Sequence, residues 1–179
     1  GAKYVVLPAI PEVERKNLDD YKRIAEKFNS IGAEAKKEGI RFGYHNHGYG
    51  LNNVNGVMPL DIIFDQTDPS LVYFEMDLYW TIAGGADPVE LFKKHKDRYK
   101  MVHIKDMKEP KRFSGDGGNS SQWIPLFPYM TSCGEGILDL PTILTTAKQN
   151  GVEHFFVEQD TVQSPEIALK KSIDYLKSL

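Results

Sequence analysis

A chain of 179 residues, 41% hydrophobic and 26% charged, carries enough apolar material for one globular domain with a sizeable core. Its formal net charge of −3, from 22 basic and 25 acidic side chains, argues against a nucleic-acid grip, which shows as a basic patch or stripe. No apolar run approaches the roughly 18 residues that a membrane helix needs, and a single cysteine, Cys133, excludes an internal disulfide.

The chain opens in an apolar strand, Tyr4 to Leu7, ended by Pro8. It starts without an initiator methionine or a leader, so further residues are expected upstream; a cytoplasmic location is favoured, and a secretory signal stays open. A polar stretch over residues 9–16 leads to Asn17, an N-cap followed by acids in the first turn. Leu18, Tyr21, Ile24, Ala25, Phe28 and Ile31 recur at helical spacing and predict a helix to about Glu38, stopped by Gly39. Strand Ile40–His47 follows, then a Gly- and Asn-rich loop over residues 48–56. A short helix over Pro59–Asp65 and a turn at Asp68-Pro-Ser lead into strand Leu71–Leu78. There Val72, Phe74 and Met76 alternate with Tyr73, Glu75 and Asp77, giving one apolar and one polar face. The loop Ala83-Gly-Gly-Ala ends at Asp87-Pro88, an N-cap with proline at the first helical position. A helix to about Lys96 gives way to strand Lys100–Lys105. Residues 107–135 form the longest interruption, rich in Gly, Ser, Pro and aromatics; Trp123, Phe127 and Tyr129 could make a lid or simply pack. Asp139 caps a helix over Leu140–Gln149, and strand Glu153–Glu158 and a helix from Ser164-Pro165 to about Lys177 complete the chain.

Strict alternation of strand and helix means parallel strands joined by crossover helices. Four strand ends carry pairs two residues apart: His45 and His47, Glu75 and Asp77, His103 and Lys105, Glu158 and Asp160. A strand's period of two turns both members of a pair to one face. All four pairs fall at the C-terminal ends of successive strands, where barrel active sites are built, whereas an open sheet focuses its ligands at one switch point. No Gly-x-Gly-x-x-Gly follows the first strand, which weakens a dinucleotide-binding reading. The expected fold is a parallel (β/α)8 TIM-type barrel. Residues 1–179 supply its last five βα units as one domain portion, and three units are expected before residue 1. Five-eighths of a barrel leaves two unpaired strand edges, which upstream residues, a partner or self-association would cover.

One residue from each pair, namely His45, Asp77, His103 and Glu158, makes a site for a divalent metal at the barrel mouth. Two imidazoles and two carboxylates suit Mn²⁺, Co²⁺ or Zn²⁺, and the carboxylates tilt the choice toward Mn²⁺. Structural roles compete with this. His45 and His47 could hydrogen-bond at a strand end, His103 and Lys105 could pair with Glu75 and Asp77, and Glu158 and Asp160 could cap a loop. Acids within an apolar strand are costly to bury unless paired or bound to a cation, which favours function for Glu75 and Asp77. His95 and His154 lack an in-phase partner and read as structural. Trp80, beside Tyr79, could be a stacking wall for a sugar face or loop packing. Cys133 reads as an ordinary thiol, with a nucleophile paired to a histidine as the alternative.

Tyr-His-Asn-His, Met-Asp-Leu-Tyr-Trp followed by Gly-Gly-Ala-Asp-Pro, His-Ile-Lys-Asp, Gly-Glu-Gly-Ile-Leu-Asp and Val-Glu-Gln-Asp occur in this order. Over nearly the whole chain these motifs resemble the sugar phosphate isomerase/epimerase family. That family lies in the xylose-isomerase-like TIM-barrel superfamily, which also includes inosose dehydratase and endonuclease IV. The resemblance implies one divalent metal, most often Mn²⁺ with Zn²⁺, Co²⁺ or Mg²⁺ as alternatives, on His45 (or His47), Asp77, His103 and Glu158. Many relatives have a glutamate where His45 stands, and others have one shortly after His-Asn-His, where this chain has Gly48-Tyr-Gly50. A two-glutamate epimerase mechanism is therefore not carried over.

The chemistry so implied is metal chelation of a carbonyl and adjacent hydroxyl, with His47 as general base. Lys105 would steady the oxyanion and Glu158 would shuttle the proton, while Trp80, Glu75 and Asp160 would contact substrate. The expected activity is isomerisation or epimerisation of a small sugar or keto-sugar, with no nucleic-acid or membrane partner. Elimination by a lyase or dehydratase is the alternative wherever a β-leaving group is present. Readings from other classes are a non-catalytic carbohydrate-binding barrel and an endonuclease-IV-like phosphodiesterase, which the net charge opposes.

Overall fold

The computed structural model describes residues 1–179. Its strands are β1 (Tyr4–Leu7), β2 (Arg41–His45), β3 (Val72–Asp77), β4 (Tyr99–Ile104), β5 (Asp106–Met107), β6 (Met130–Thr131) and β7 (His154–Val157). The helices are α1 (Leu18–Lys37), α2 (Pro59–Gln66), α3 (Leu78–Ala83), α4 (Pro88–Lys94), α5 (Ser120–Trp123), α6 (Leu140–Gln149) and α7 (Pro165–Lys177). Five strands form one parallel sheet in the order β1-β2-β3-β4-β7, curled as a half-barrel. The expected barrel architecture is thus present, with β1 and β7 as its edges. No helix is long and apolar enough to cross a membrane.

Alternation along the strands separates core from site. Phe42, Tyr44, Val72, Phe74, Met76, Val102 and Ile104 point outward into one continuous apolar cluster beneath the helices. Helix α1 begins at a capping box, in which Asn17 and Asp20 satisfy each other's backbone N–H groups. It buries Tyr21, Ile24, Ala25 and Phe28 against the sheet, and full burial of Ile24 or Phe28 is worth roughly 1.5–3 kcal/mol each. Gly32 permits the close approach, since a Cβ there would sit 2.5 Å from the Leu71 carbonyl oxygen.

Several boundaries differ from the sequence reading. Strand β2 ends at His45, two residues early, although the Asn46 N–H still bonds the Glu75 carbonyl. Helix α3 starts directly after β3 because the Asp77 carboxylate accepts the Trp80 N–H, so Tyr79 and Trp80 are helical rather than in a loop. Strand β7 stops at Val157, yet the Glu158 N–H donates to the Ile104 carbonyl and keeps the ladder's direction. The 107–135 interruption is built rather than open: β5 and β6 pair antiparallel, with α5 and a 3₁₀ turn over Ile124–Tyr129 between them.

Candidate active site at the strand ends

Sheet register brings the polar pairs together. His45 lies beside Glu75 on neighbouring strands, and Asp77 lies beside His103 after a register shift between Phe74 and Glu75. The strand ends open into a cavity of about 590 Å³. His45, His47, Glu75, His103, Lys105 and Glu158 line it, as do Trp80 and Asp160. Asp77, the remaining candidate, is fully buried and meets the cluster from within.

Glu75 Oε2 is 2.9 Å from His45 Nδ1 and 3.4 Å from His103 Nε2. On their other sides, His45 Nε2 lies 3.8 Å from Asp77 Oδ2 and His103 Nδ1 lies 2.6 Å from Glu158 Oε2. Lys105 Nζ sits among three carboxylates, 2.9 Å from Asp77, 2.9 Å from Glu158 and 2.8 Å from Asp160. Only its Asp160 contact has hydrogen-bonding geometry. Asp77 Oδ2, His103 Nδ1 and His47 Nδ1 are buried and make no hydrogen bond. Asp77 spends its other oxygen on capping α3.

Charge settles unevenly over these groups. Burial opposes charge on His103, but the Glu158 and Glu75 carboxylates outweigh it and hold the imidazole up at about 10. Burial would likewise raise Glu75, yet the His103 and His45 rings bring it down to about 2. Glu158 is held at about 2 chiefly by His103, with Lys105 adding to the effect. Lys105 is pushed up despite burial by Asp77, Asp160 and Glu158. His47 moves the other way, to about 4, through burial and the adjacent His45.

The set could hold a cation. Donor atoms of His45, Glu75 and His103, and separately of Asp77, His103 and Glu158, lie within 4.8 Å of one another. Asp77 Oδ2 and His103 Nδ1 are buried and lack hydrogen-bonding geometry to their ion-pair neighbours, and a divalent ion could take the place of the His103 proton between them. Of the four residues expected as ligands, Asp77, His103 and Glu158 thus form one group, while His45 groups with Glu75 and His103.

The aromatic residues divide. Trp80 reaches the cavity but is 4% exposed, with one face stacked on Phe113 at 5.5 Å. Tyr79 is packed away, and its hydroxyl donates to the Leu126 carbonyl. Trp123 and Phe127 line the cavity wall, whereas Tyr129 stacks under Lys111 outside it. His95 is structural, bonded to Asp61 at 3.0 Å and stacked on Phe64. His154 packs against Tyr4 and Phe156, away from the cluster. Cys133 is buried, and burial pushes its thiol up to about 11, as befits an ordinary thiol.

Two residues were assigned no role by the sequence reading. Arg15, on the connection before α1, lines the cavity, lies over the Tyr49 ring at 3.8 Å, and bonds Asp116 and the Gly118 carbonyl. Asp106 is fully buried, and its carboxylate accepts the N–H groups of Met107, Gly134, Gly136 and Leu138. The Gly-Glu-Gly string was the available signal for that second contact, because a Cβ at Gly136 would collide with Asp106.

Residues 1–179 match a family profile described as Xylose isomerase-like TIM barrel. An inosose dehydratase of Clostridium perfringens is 30% identical over 154 residues, covering 85% of this chain and 50% of its own length. A sugar phosphate isomerase/epimerase from Parabacteroides distasonis superposes with a TM-score of 0.78 at 32% identity, covering 99% of this chain and 59% of that one. An IOLI protein with a binding zinc atom superposes with a TM-score of 0.74 at 17% identity, covering 98% and 62%, a likeness of fold. The chain spans about half the length of the curated relatives it matches.

Proposed function

We propose, from the premise that this chain belongs to the xylose isomerase-like TIM barrel family, that its cavity isomerises or epimerises a small sugar or keto-sugar. The reaction is a proton transfer next to a carbonyl, assisted by one divalent metal ion. The observation that carries this reading is the convergence of His45, Asp77, His103 and Glu158, two imidazoles and two carboxylates, at one end of the sheet, with Asp77 and His103 meeting Glu158 within 4.8 Å and His45 Nε2 3.8 Å from Asp77 Oδ2. Those four residues would hold the ion. Their carboxylates favour Mn²⁺, while the zinc atom of the IOLI protein supports Zn²⁺ as the alternative. Bound there, the ion would supply Lewis acidity to a carbonyl and its neighbouring hydroxyl.

The chain's own residues divide the remaining work. His47 is unprotonated at neutral pH and faces the cavity, so it can accept the proton from carbon. Lys105 keeps its charge and steadies the developing oxyanion. Glu158 touches both His103 and Lys105 and relays the proton. Trp80, Glu75 and Asp160 border the space left for substrate. Elimination is the second reading, favoured by the 30% identity to an inosose dehydratase. It starts with the same proton abstraction and differs only in what leaves next.

The test is incubation with keto-sugars and Mn²⁺ in D₂O. Deuterium at the carbon beside the carbonyl, in a product of unchanged formula, is expected. Loss of water with a conjugated product would move the assignment to dehydratase. Saturable sugar binding without any exchange would overturn both in favour of a binding barrel.

A further inference from the structure

Glu75 stands between two imidazoles and meets them through opposite ring nitrogens. Its Oε2 is hydrogen-bonded to His45 Nδ1 at 2.9 Å and makes a longer contact with His103 Nε2 at 3.4 Å. A ring that ligates a cation through one nitrogen keeps its N–H on the other, and a carboxylate facing that other nitrogen holds it there. The nitrogens left over are His45 Nε2, facing Asp77 Oδ2 at 3.8 Å, and His103 Nδ1, facing Glu158 Oε2 at 2.6 Å. His103 Nδ1 and Asp77 Oδ2 are buried, and their ion-pair contacts with Glu158 and Lys105 lack hydrogen-bonding geometry.

Strand geometry explains how one carboxylate serves two rings. Glu75 is the direct register partner of His45, and the shift between Phe74 and Glu75 sets Asp77, not Glu75, beside His103. His103 is therefore two residues beyond Met101, the partner of Glu75 on that strand, near enough for its Nε2 to approach the same oxygen. Glu75 is itself buried, and its backbone carbonyl is tied to the Asn46 N–H, so its position is fixed by the sheet.

We infer that Glu75 is a positioning residue: one carboxylate that sets the tautomer and tilt of both His45 and His103, so that His45 Nε2 and His103 Nδ1 converge with Asp77 and Glu158. This rests on the divalent-ion reading above and adds to it a carboxylate outside the ligand set. Such outer partners raise ligand basicity, and their loss typically lowers metal affinity about 10–100-fold.

The test uses the protein with Zn²⁺ alone and ¹⁵N-labelled histidine. Long-range ¹H–¹⁵N spectra of the zinc-loaded protein are expected to show His45 ligated through Nε2 and His103 through Nδ1. Each ring should keep a slowly exchanging proton on the nitrogen facing Glu75. Glu75→Gln, close in shape, should lower zinc affinity about 10–100-fold and speed exchange of both protons. Ligation of either ring through the nitrogen facing Glu75 would overturn the inference, as would wild-type zinc affinity in Glu75→Gln. If that variant fails to fold, the wild-type spectra still decide. Failure of the wild-type protein to take up zinc would instead remove the divalent-ion reading, and this inference with it.

Discussion

Arg15 reaches across the cavity mouth to Asp116, Nη1 to Oδ2 at 3.1 Å, joining segments 101 residues apart in the chain. The contact ties the connection before α1 to the insert between β5 and β6. On the far side the insert is seated by Phe113, which stacks on Trp80 and fills the space a Cβ would need at Gly48 and Gly117. Asp116 is half exposed, so the ion pair itself is worth little, about 0–1 kcal/mol. Arg15, by contrast, is buried against Tyr49 and also donates to the carbonyls of Ile10 and Gly118. Arg15→Ala should therefore speed amide hydrogen exchange over residues 112–118 while leaving β2, β3 and β4 protected. Asp116→Asn should have a smaller effect in the same place. Uniform loss of protection across the sheet would show that Arg15 serves global stability rather than this segment.

Asp106 should be a stability residue of the first rank. Its carboxylate satisfies four backbone N–H groups in a fully buried position. An unpaired buried donor costs about 1–3 kcal/mol. Asp106→Ala would orphan several at once and should lower unfolding free energy by about 3 kcal/mol or more, read from urea midpoints. Asp106→Asn keeps the shape but turns an NH₂ toward two backbone N–H groups in either orientation, so an intermediate loss is expected. Equal stabilities for Asp106→Ala and wild type would sink this account.

The contrast between these two residues shows where sequence reading stops. The barrel was legible because alternation of period two in β3 and strict exchange of strand and helix are local signals. The polar pairs were legible because the same period places His45 with His47, and Glu75 with Asp77. Asp77's second task was hidden, since a residue counted inside a strand also caps α3. Arg15 carries no pattern of its own, as its tie to the insert lies in partners more than 100 residues away. The service of Glu75 to two rings depends on inter-strand register and on a shift beside Phe74, neither of which is written in one strand's own alternation.

The pH response of the metal-free protein follows from His103. Its imidazole is held at about 10, above the ordinary 6.5, and is protonated at neutral pH. A cation must displace that proton, so uptake of Mn²⁺ or Zn²⁺ should release about one proton, and apparent affinity should rise roughly tenfold per pH unit below 10. Calorimetry in buffers of different ionisation enthalpy measures this directly. The same shift predicts stability with the opposite slope. A raised folded-state pKa stabilises fully below 6.5, and the contribution fades as pH climbs through about 10. Metal-free protein should therefore melt at lower temperature at pH 10 than at pH 6.5, whereas metal-loaded protein should not show that loss. Metal uptake without proton release would contradict the His103 assignment.

Substitution of His47 would tell the proposed proton transfer apart from the proposed ion binding. His47 lies 4.8 Å ring to ring from His45, lines the cavity, and stacks on Tyr49, yet it makes none of the carboxylate contacts that tie His45 and His103 together. His47→Gln should leave zinc affinity within a few fold of wild type and slow solvent-proton exchange into a keto-sugar by about 10²–10⁴-fold, the usual worth of a general base. His45→Gln should do the reverse first, losing the ion and with it the exchange. The acid side adds a check. Burial and His45 depress His47 to about 4, so the neutral ring is favoured in the folded state. Its protonation therefore destabilises the fold only as pH drops below 6.5 toward 4, and His47→Gln should flatten that acid limb of the melting profile. Collapse of zinc affinity in His47→Gln would exchange the two histidines' roles, and unaltered proton exchange would take the base assignment away from His47.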